Sequence, residues 1–145
     1  MVRTKEFEPD VALERALQVF WKNGYEKTSV NDLLKEMGLN RGSLYDTFGD
    51  KHSLFMACIA RYSAVYMSQT YWVLSQNTPV YPTLMQLFTN VIDRVHEDQK
   101  SWGCLIVNTA NELSLHDALV AEAVTANLLS LEQAFELFLE QGKIR

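Results

Sequence analysis

Within seven positions, 41 to 47, the sequence RGSLYDT gathers a guanidinium, two hydroxyls, a phenol and a carboxylate. An Arg can donate two bonds to O6 and N7 of a guanine, and an Asp can accept from N4 of a cytosine, each pair supplying ~1 to 3 kcal/mol of discrimination between bases. Arg41 is therefore the first candidate for contact with base edges, with Ser43, Asp46 and Thr47 behind it. Leu44 and Phe48 stand four residues apart and predict the inward side of a short helix. Such a helix presents small and hydrogen-bonding groups, the surface that reading a DNA groove requires. The competing reading is an ordinary exposed polar face.

Other chemistry finds little support. His96 and Glu97 open an HExxH pattern, but Lys100 stands where the second histidine of a zinc site belongs. His52, His96 and His116 are scattered and read as solvated side chains. No nucleophile elbow, phosphate-binding loop, dinucleotide fingerprint or CxxC spacing occurs, so neither an enzyme nor a cofactor or metal site is expected. Two cysteines, Cys58 and Cys104, are too few for a disulfide framework and fit free thiols.

The elements that must hold residues 41 to 47 in place can be read outward from them. Ser29 and Asp32 have capping-box spacing at the start of a helix whose Val30, Leu33, Leu34 and Met37 share one face. Gly38 supplies the positive φ that ends it, and Asn40 opens the next helix by accepting from its free N–H groups. Upstream, Phe7 and Pro9 mark a helix entrance, Ala16, Val19 and Phe20 its buried face, and Gly24 its stop, with Tyr25 as an anchor. Downstream, Asp50 caps a helix that, with no Gly or Pro before Pro79, is expected to reach about Gln76. Its Leu54, Cys58 and Tyr62 should pack under the reading head. Residues 77 to 82 break the chain. A segment from 83 to about 98 carries Leu84, Leu87, Phe88, Val91, Ile92 and Val95 at a 3.6-residue period and predicts a helix. A loop to 103, a helix over 104 to 115, and a last helix capped by Asp117, running to about Gln141 and closed by Gly142, complete an all-α chain with three helices in the head and about four behind it.

Residues 12 to 56 resemble the DNA-binding domain of the TetR/AcrR family of bacterial transcriptional regulators. The resemblance rests on Ala16 and Phe20, Gly24 with Tyr25, Thr28 to Val30, Gly38, Gly42 to Tyr45, Phe48, and Lys51 with Leu54. It implies a helix-turn-helix DNA-binding domain over 1–50 and a helical ligand-binding and dimerisation domain over 51–145. It also implies a homodimeric repressor of a double-stranded operator, released by a small-molecule inducer. Tyr45, Ser29, Thr28 and Lys51 then match backbone-positioning groups, Asn40 sits at the entrance of the reading helix, and Gly42 allows close approach. Asp46 departs from the aromatic or histidine frequent there.

The segment from Trp102 to Asn108 resembles the GCLxVN region of one family branch, in which some members sense oxidants or electrophiles through the cysteine. Cys104 at a helix N-terminus would gain nucleophilicity from the helix dipole, against the plainer reading of a packed thiol. The family's ligand pocket lies among the helices of the second domain. Candidates are Tyr62, Tyr66, Trp72, Phe88, Trp102, Asn108, Asn111 and Glu112, together with Cys104.

Charge and the chain's ends qualify this reading. Lys and Arg minus Asp and Glu give 8 − 9 = −1 for residues 1–60 and 5 − 9 = −4 for the rest. DNA binding must therefore rest on local cations such as Arg3, Lys5, Lys22, Lys27, Arg41 and Lys51 rather than on a global basic field. No signal-like stretch or long apolar run is present, which predicts a cytoplasmic protein without membrane contact. Relative to the family pattern the chain lacks the usual last two helices. That predicts an apolar face on the final helix at Leu128, Leu131, Phe135 and Leu139, and leaves as the alternative function a truncated helical interaction protein that does not bind DNA.

Overall fold

The computed structural model describes residues 7–98 and 101–143, all helix and connecting turn. Eight helices lie among the described residues: α1 Pro9–Asn23, α2 Val30–Met37, α3 Arg41–Phe48, α4 Lys51–Tyr66, α5 Ser68–Leu74, α6 Val80–Asp98, α7 Leu105–Leu113 and α8 Ala118–Lys143. The expected N-terminal arm with Arg3 and Lys5 lies outside the described residues, as does Lys100.

The head forms as its caps dictate. Pro9 opens α1, where its missing N–H costs nothing, and Gly24 ends the helix at φ 82° with its N–H bonded to the Phe20 carbonyl at 2.7 Å. Ser29 and Asp32 make a reciprocal capping box, with Oγ accepting from the Asp32 N–H at 3.0 Å and the carboxylate from the Ser29 N–H at 2.9 Å. Facing the carboxylate, the Ser29 hydroxyl first and then the Ser29 N–H hold the Asp32 carboxyl below its ordinary range. Gly38 takes the left-handed conformation, φ 68° and ψ 33°, that a β-carbon disfavours. Asn40 Oδ1 accepts from the N–H of Ser43, three residues on, at 2.8 Å and so caps α3, which begins at Arg41.

One core joins the head to the body. Leu17, Phe20, Leu33, Leu44, Leu54, Phe55 and Ile59 are buried with Leu105, Ile106, Leu113, Val120 and Val124, so α1 to α4 share their interior with α7 and the first half of α8. A smaller cluster around Leu74, Leu87 and Phe138 ties α5 and α6 to the second half of α8.

Several expectations need correction. The helix predicted from 50 to 76 breaks at Met67, where the Ser68 hydroxyl donates to the Val65 carbonyl at 2.9 Å and competes with the helical ladder. The body therefore has five helices rather than four. α6 begins at Val80, ahead of Pro82, because a first-turn N–H has no helical partner to lose. α7 is shorter than expected and ends at Leu113. Gly142 is an ordinary residue of α8 rather than its stop. α6 has its predicted period, yet of the six apolar residues only Leu87 is buried, and Phe88, Val91, Ile92 and Val95 are exposed. On α8, Leu128 and Leu139 are exposed and Leu131 and Phe135 half-buried. No helix among the described residues is long and apolar enough to cross a membrane.

Candidate nucleic-acid interface and its tie to the helical body

Leu44, with no exposed surface, fixes the rotation of α3. Phe48 packs half-buried on the same core. That rotation leaves Arg41, Gly42, Tyr45 and Asp46 outward, with Ser43 and Thr47 half-buried at the flank and Tyr45 41% exposed. Asn40 is exposed, and its side chain is engaged as the cap of α3. Arg41 is already oriented, since its Nη2 donates to Asn31 Oδ1 on α2 at 2.9 Å. Asn31 was not singled out from the sequence, because only the α2–α3 crossing brings a position ten residues earlier to the start of the reading helix.

Of the expected backbone-positioning residues, Thr28 differs from the sequence reading. Thr28 is buried, and its hydroxyl donates to the Gly24 carbonyl at 2.6 Å, so it braces the turn before α2 and is not a surface group. Lys51 places its ammonium 4.2 Å from the centroid of the Tyr25 ring, a contact that leaves its N–H donors available. Ser29 remains exposed with its hydroxyl in the capping box.

The turn between α1 and α2 is held from the body by Glu112 on α7. Its Oε1 accepts from the backbone N–H groups of Tyr25 at 2.5 Å and Glu26 at 3.1 Å, and Oε2 accepts from Tyr25 at 3.1 Å. A β-carbon on Gly24 would lie 2.6 Å from Oε2, so the latch requires glycine there for space as well as for φ. Beside it, Trp21 Nε1 donates to the Gly103 carbonyl at 3.0 Å, and Asn108 Nδ2 donates to the Trp102 carbonyl at 2.6 Å. His52 is not the solvated histidine expected, because its Nε2 lies 2.7 Å from Asp117 Oδ2 and joins the start of α4 to the cap of α8. The Val120 N–H first, and with it the His52 contact, outweigh the opposing effect of burial and hold Asp117 below the ordinary carboxyl range.

A second tie joins α1 to the last turn of α4. Glu14 accepts from Tyr66 Oη at 2.5 Å and Gln18 Nε2 at 2.9 Å on one oxygen, and from Arg61 Nε at 2.6 Å on the other. Burial alone would raise the Glu14 carboxyl, and the three hydrogen bonds outweigh it and hold the group low. Burial, then the Glu14 carboxylate, push the Tyr66 phenol up to about 12.

The residues expected to contact ligand do not converge on one cavity. Trp102, Asn108 and Glu112 line a cleft of about 360 Å³ between the end of α1 and α7. Tyr62 and Tyr66 stack 5.4 Å apart behind Trp21, with the Tyr62 hydroxyl 3.6 Å from Cys104 Sγ. Asn111 is exposed, and Trp72 and Phe88 point outward at 65% and 62% exposure, so the aromatic stripe on α5 and α6 encloses no cavity with them. Cys104 is the half-buried N-cap residue of α7, while Cys58 is fully buried and its thiol is pushed far up by that burial.

The comparisons agree with this architecture. The model of bacterial regulatory proteins of the tetR family matches residues 12–58. The chain is 33% identical over 135 residues to YezE of Bacillus subtilis, an uncharacterised HTH-type transcriptional regulator, covering 93% of this chain and 70% of that protein. It is 29% identical over 147 residues to the HTH-type transcriptional repressor ComR of Escherichia coli, covering 99% and 69%. Among solved structures, a cysteine-substituted form of the TetR family regulator CifR, complexed with a 26-base-pair operator duplex, superposes with a TM-score of 0.85 at 29% identity, covering 97% of this chain and 73% of that one. Capped helices, an outward α3 and a relative of this identity and coverage point the same way: the chain belongs to the TetR family of bacterial regulatory proteins, transcriptional regulators and not enzymes.

Proposed function

We propose that the chain is a repressor that binds a double-stranded operator as a homodimer and is released by an inducer. The observation that carries this reading is the exposed face of α3 standing on the buried Leu44, with Arg41 pre-positioned by Asn31. In this reading Arg41 contacts base edges, with Ser43, Asp46 and Thr47 beside it. Tyr45, Ser29 and Lys51 contact phosphates, and Gly42 admits the backbone closely. Two such heads in one dimer would enter successive major grooves roughly 34 to 36 Å apart. The operator complex of CifR supports the partner by likeness.

The working division is a DNA-binding domain over 1–50 and a ligand-binding and dimerisation domain over 51–145. Exposed Leu128 and Leu139 on α8 support pairing of two chains through the body. Inducer, either a reversible ligand or an electrophile reacting at Cys104, acts by moving α4 against the head. Because α4 ends at Met67, the lever is its sixteen residues, ~24 Å at 1.5 Å per residue, and not a helix reaching Gln76. Selection of bound fragments from random DNA, followed by a mobility shift with the purified chain, tests the reading. Failure to shift any fragment at low salt would favour a helical interaction protein that captures partners through the exposed apolar side chains of its last helix, such as Leu128 and Leu139. A Cys104→Ser variant that keeps its response to electrophiles would remove the thiol branch.

A further inference from the structure

The cleft between the end of α1 and α7 combines features that the head–body tie alone does not need. Its volume, about 360 Å³, is at the lower end for small-molecule sites and suits one or two fused rings. Trp21, Tyr25, Phe55 and Trp102 line it with aromatic rings; its acidic lining group is the half-buried Glu112, and its basic one is Lys22, whose side chain is exposed to solvent, which screens its charge. The Trp21 and Trp102 rings meet edge to face at 5.8 Å, and the Trp21 N–H is committed to Gly103, so what Trp21 offers a ligand is its π-system.

Glu112 is unusual in its partners. Its hydrogen bonds come from backbone N–H groups, and it pairs with no Lys or Arg among the described residues. Oε1 takes two of those bonds, whereas Oε2 takes one longer bond of 3.1 Å. A carboxylate oxygen has two lone-pair sites, so Oε2 retains capacity for a further donor. A negative charge walled by aromatic rings attracts a flat cation twice, through the carboxylate and through the ring quadrupoles. An anion of the same shape would meet Glu112 as a like charge.

We propose that this cleft is a binding site for a flat aromatic cation of the amidinium type, whose N–H groups donate to Glu112 Oε2 while its ring lies among Trp21, Tyr25 and Trp102. The site sits where α7 grips the turn that carries α2. A ligand bonded to Oε2 draws on the same carboxylate that holds the Tyr25 and Glu26 amides. Resting on the regulator reading for this consequence, occupancy shifts the population of latched heads, and operator and cation oppose one another by the same factor.

The test is an amide NMR titration of the full chain with three probes of one shape: benzamidine, benzamide and benzoate. The expected result is saturable shifts confined to the amides of Gly24 to Glu26 and the indole N–H signals of Trp21 and Trp102. Benzamidine should bind about tenfold more tightly than either other probe, the scale of one charge-assisted contact. The Glu112→Gln variant should lose that preference. Absence of saturation, shifts centred elsewhere, or equal binding of the three probes would overturn the proposal, and the last two readouts need no variant to fold. A chain that shifts no selected DNA fragment in the absence of probe would contradict the regulator reading instead and leave the titration result standing.

Discussion

Glu112 shows most clearly how one side chain fixes the relation between two parts of the molecule. Its carboxylate replaces water at the Tyr25 and Glu26 amides, and Gly24 makes room for it. Removing it by Glu112→Ala leaves those amides without a partner, a loss of about 1 to 3 kcal/mol readable in urea denaturation. Gly24→Ala should cost a similar amount, through its φ of 82° and the 2.6 Å approach. Since both act on one contact, the double variant should fall short of the sum of the two losses, whereas strict additivity would mean that the latch is not shared. The sequence marked Glu112 as a ligand contact and Gly24 as a helix stop. Their pairing was invisible there, because 88 residues separate them and neither lies in a pattern that names the other. By contrast, Arg41, Tyr45 and Leu44 were legible, since a helix eight residues long, with Leu44 and Phe48 four apart, settles which of its neighbours face in.

At the scale of the element, caps were the most readable feature and breaks the least. Ser29, Asn40, Asp50 and Asp117 all accept the backbone bonds expected of them, because a polar side chain before an apolar period leaves few alternatives. Asn40→Ala should therefore destabilise the protein by ~0.5 to 2 kcal/mol, with a larger loss of DNA binding than of stability, because α3 begins at this cap. Equal operator affinity at a lowered melting temperature would show that α3 keeps its pose without the cap. The break at Met67 was not legible. It arises from a hydroxyl on Ser68 and from packing of α5 against α8, neither of which alters the hydrophobic period. α6 was legible as a helix but not as an exposed one, since periodicity reports a common face and says nothing about what covers it.

For the molecule as a whole, the polar network at Glu14 gives a pH signature. The folded-state carboxyl lies below its ordinary value of 4.5, so its stabilisation is complete above that value and is lost as pH falls through the lower folded value. Melting temperatures should drop more steeply below about pH 4.5 in the wild type than in Glu14→Gln, which has no proton to take up there; parallel curves would mean that Glu14 does not tie α1 to α4. Net charge of −5 also limits the electrostatic part of DNA binding. The log–log dependence of affinity on salt falls by roughly 0.9 per phosphate neutralised, and a shallow slope is expected.

The most direct measurement compares wild type and Arg41→Ala on one selected operator fragment, by fluorescence anisotropy at fixed salt. Arg41 is exposed and bonded only to Asn31 in the described contacts, so the variant should keep its melting temperature. The account predicts that its affinity falls by about 5- to 150-fold, the ~1 to 3 kcal/mol of one base contact, with relaxed preference at a single base pair. Unchanged affinity and unchanged sequence preference would contradict it.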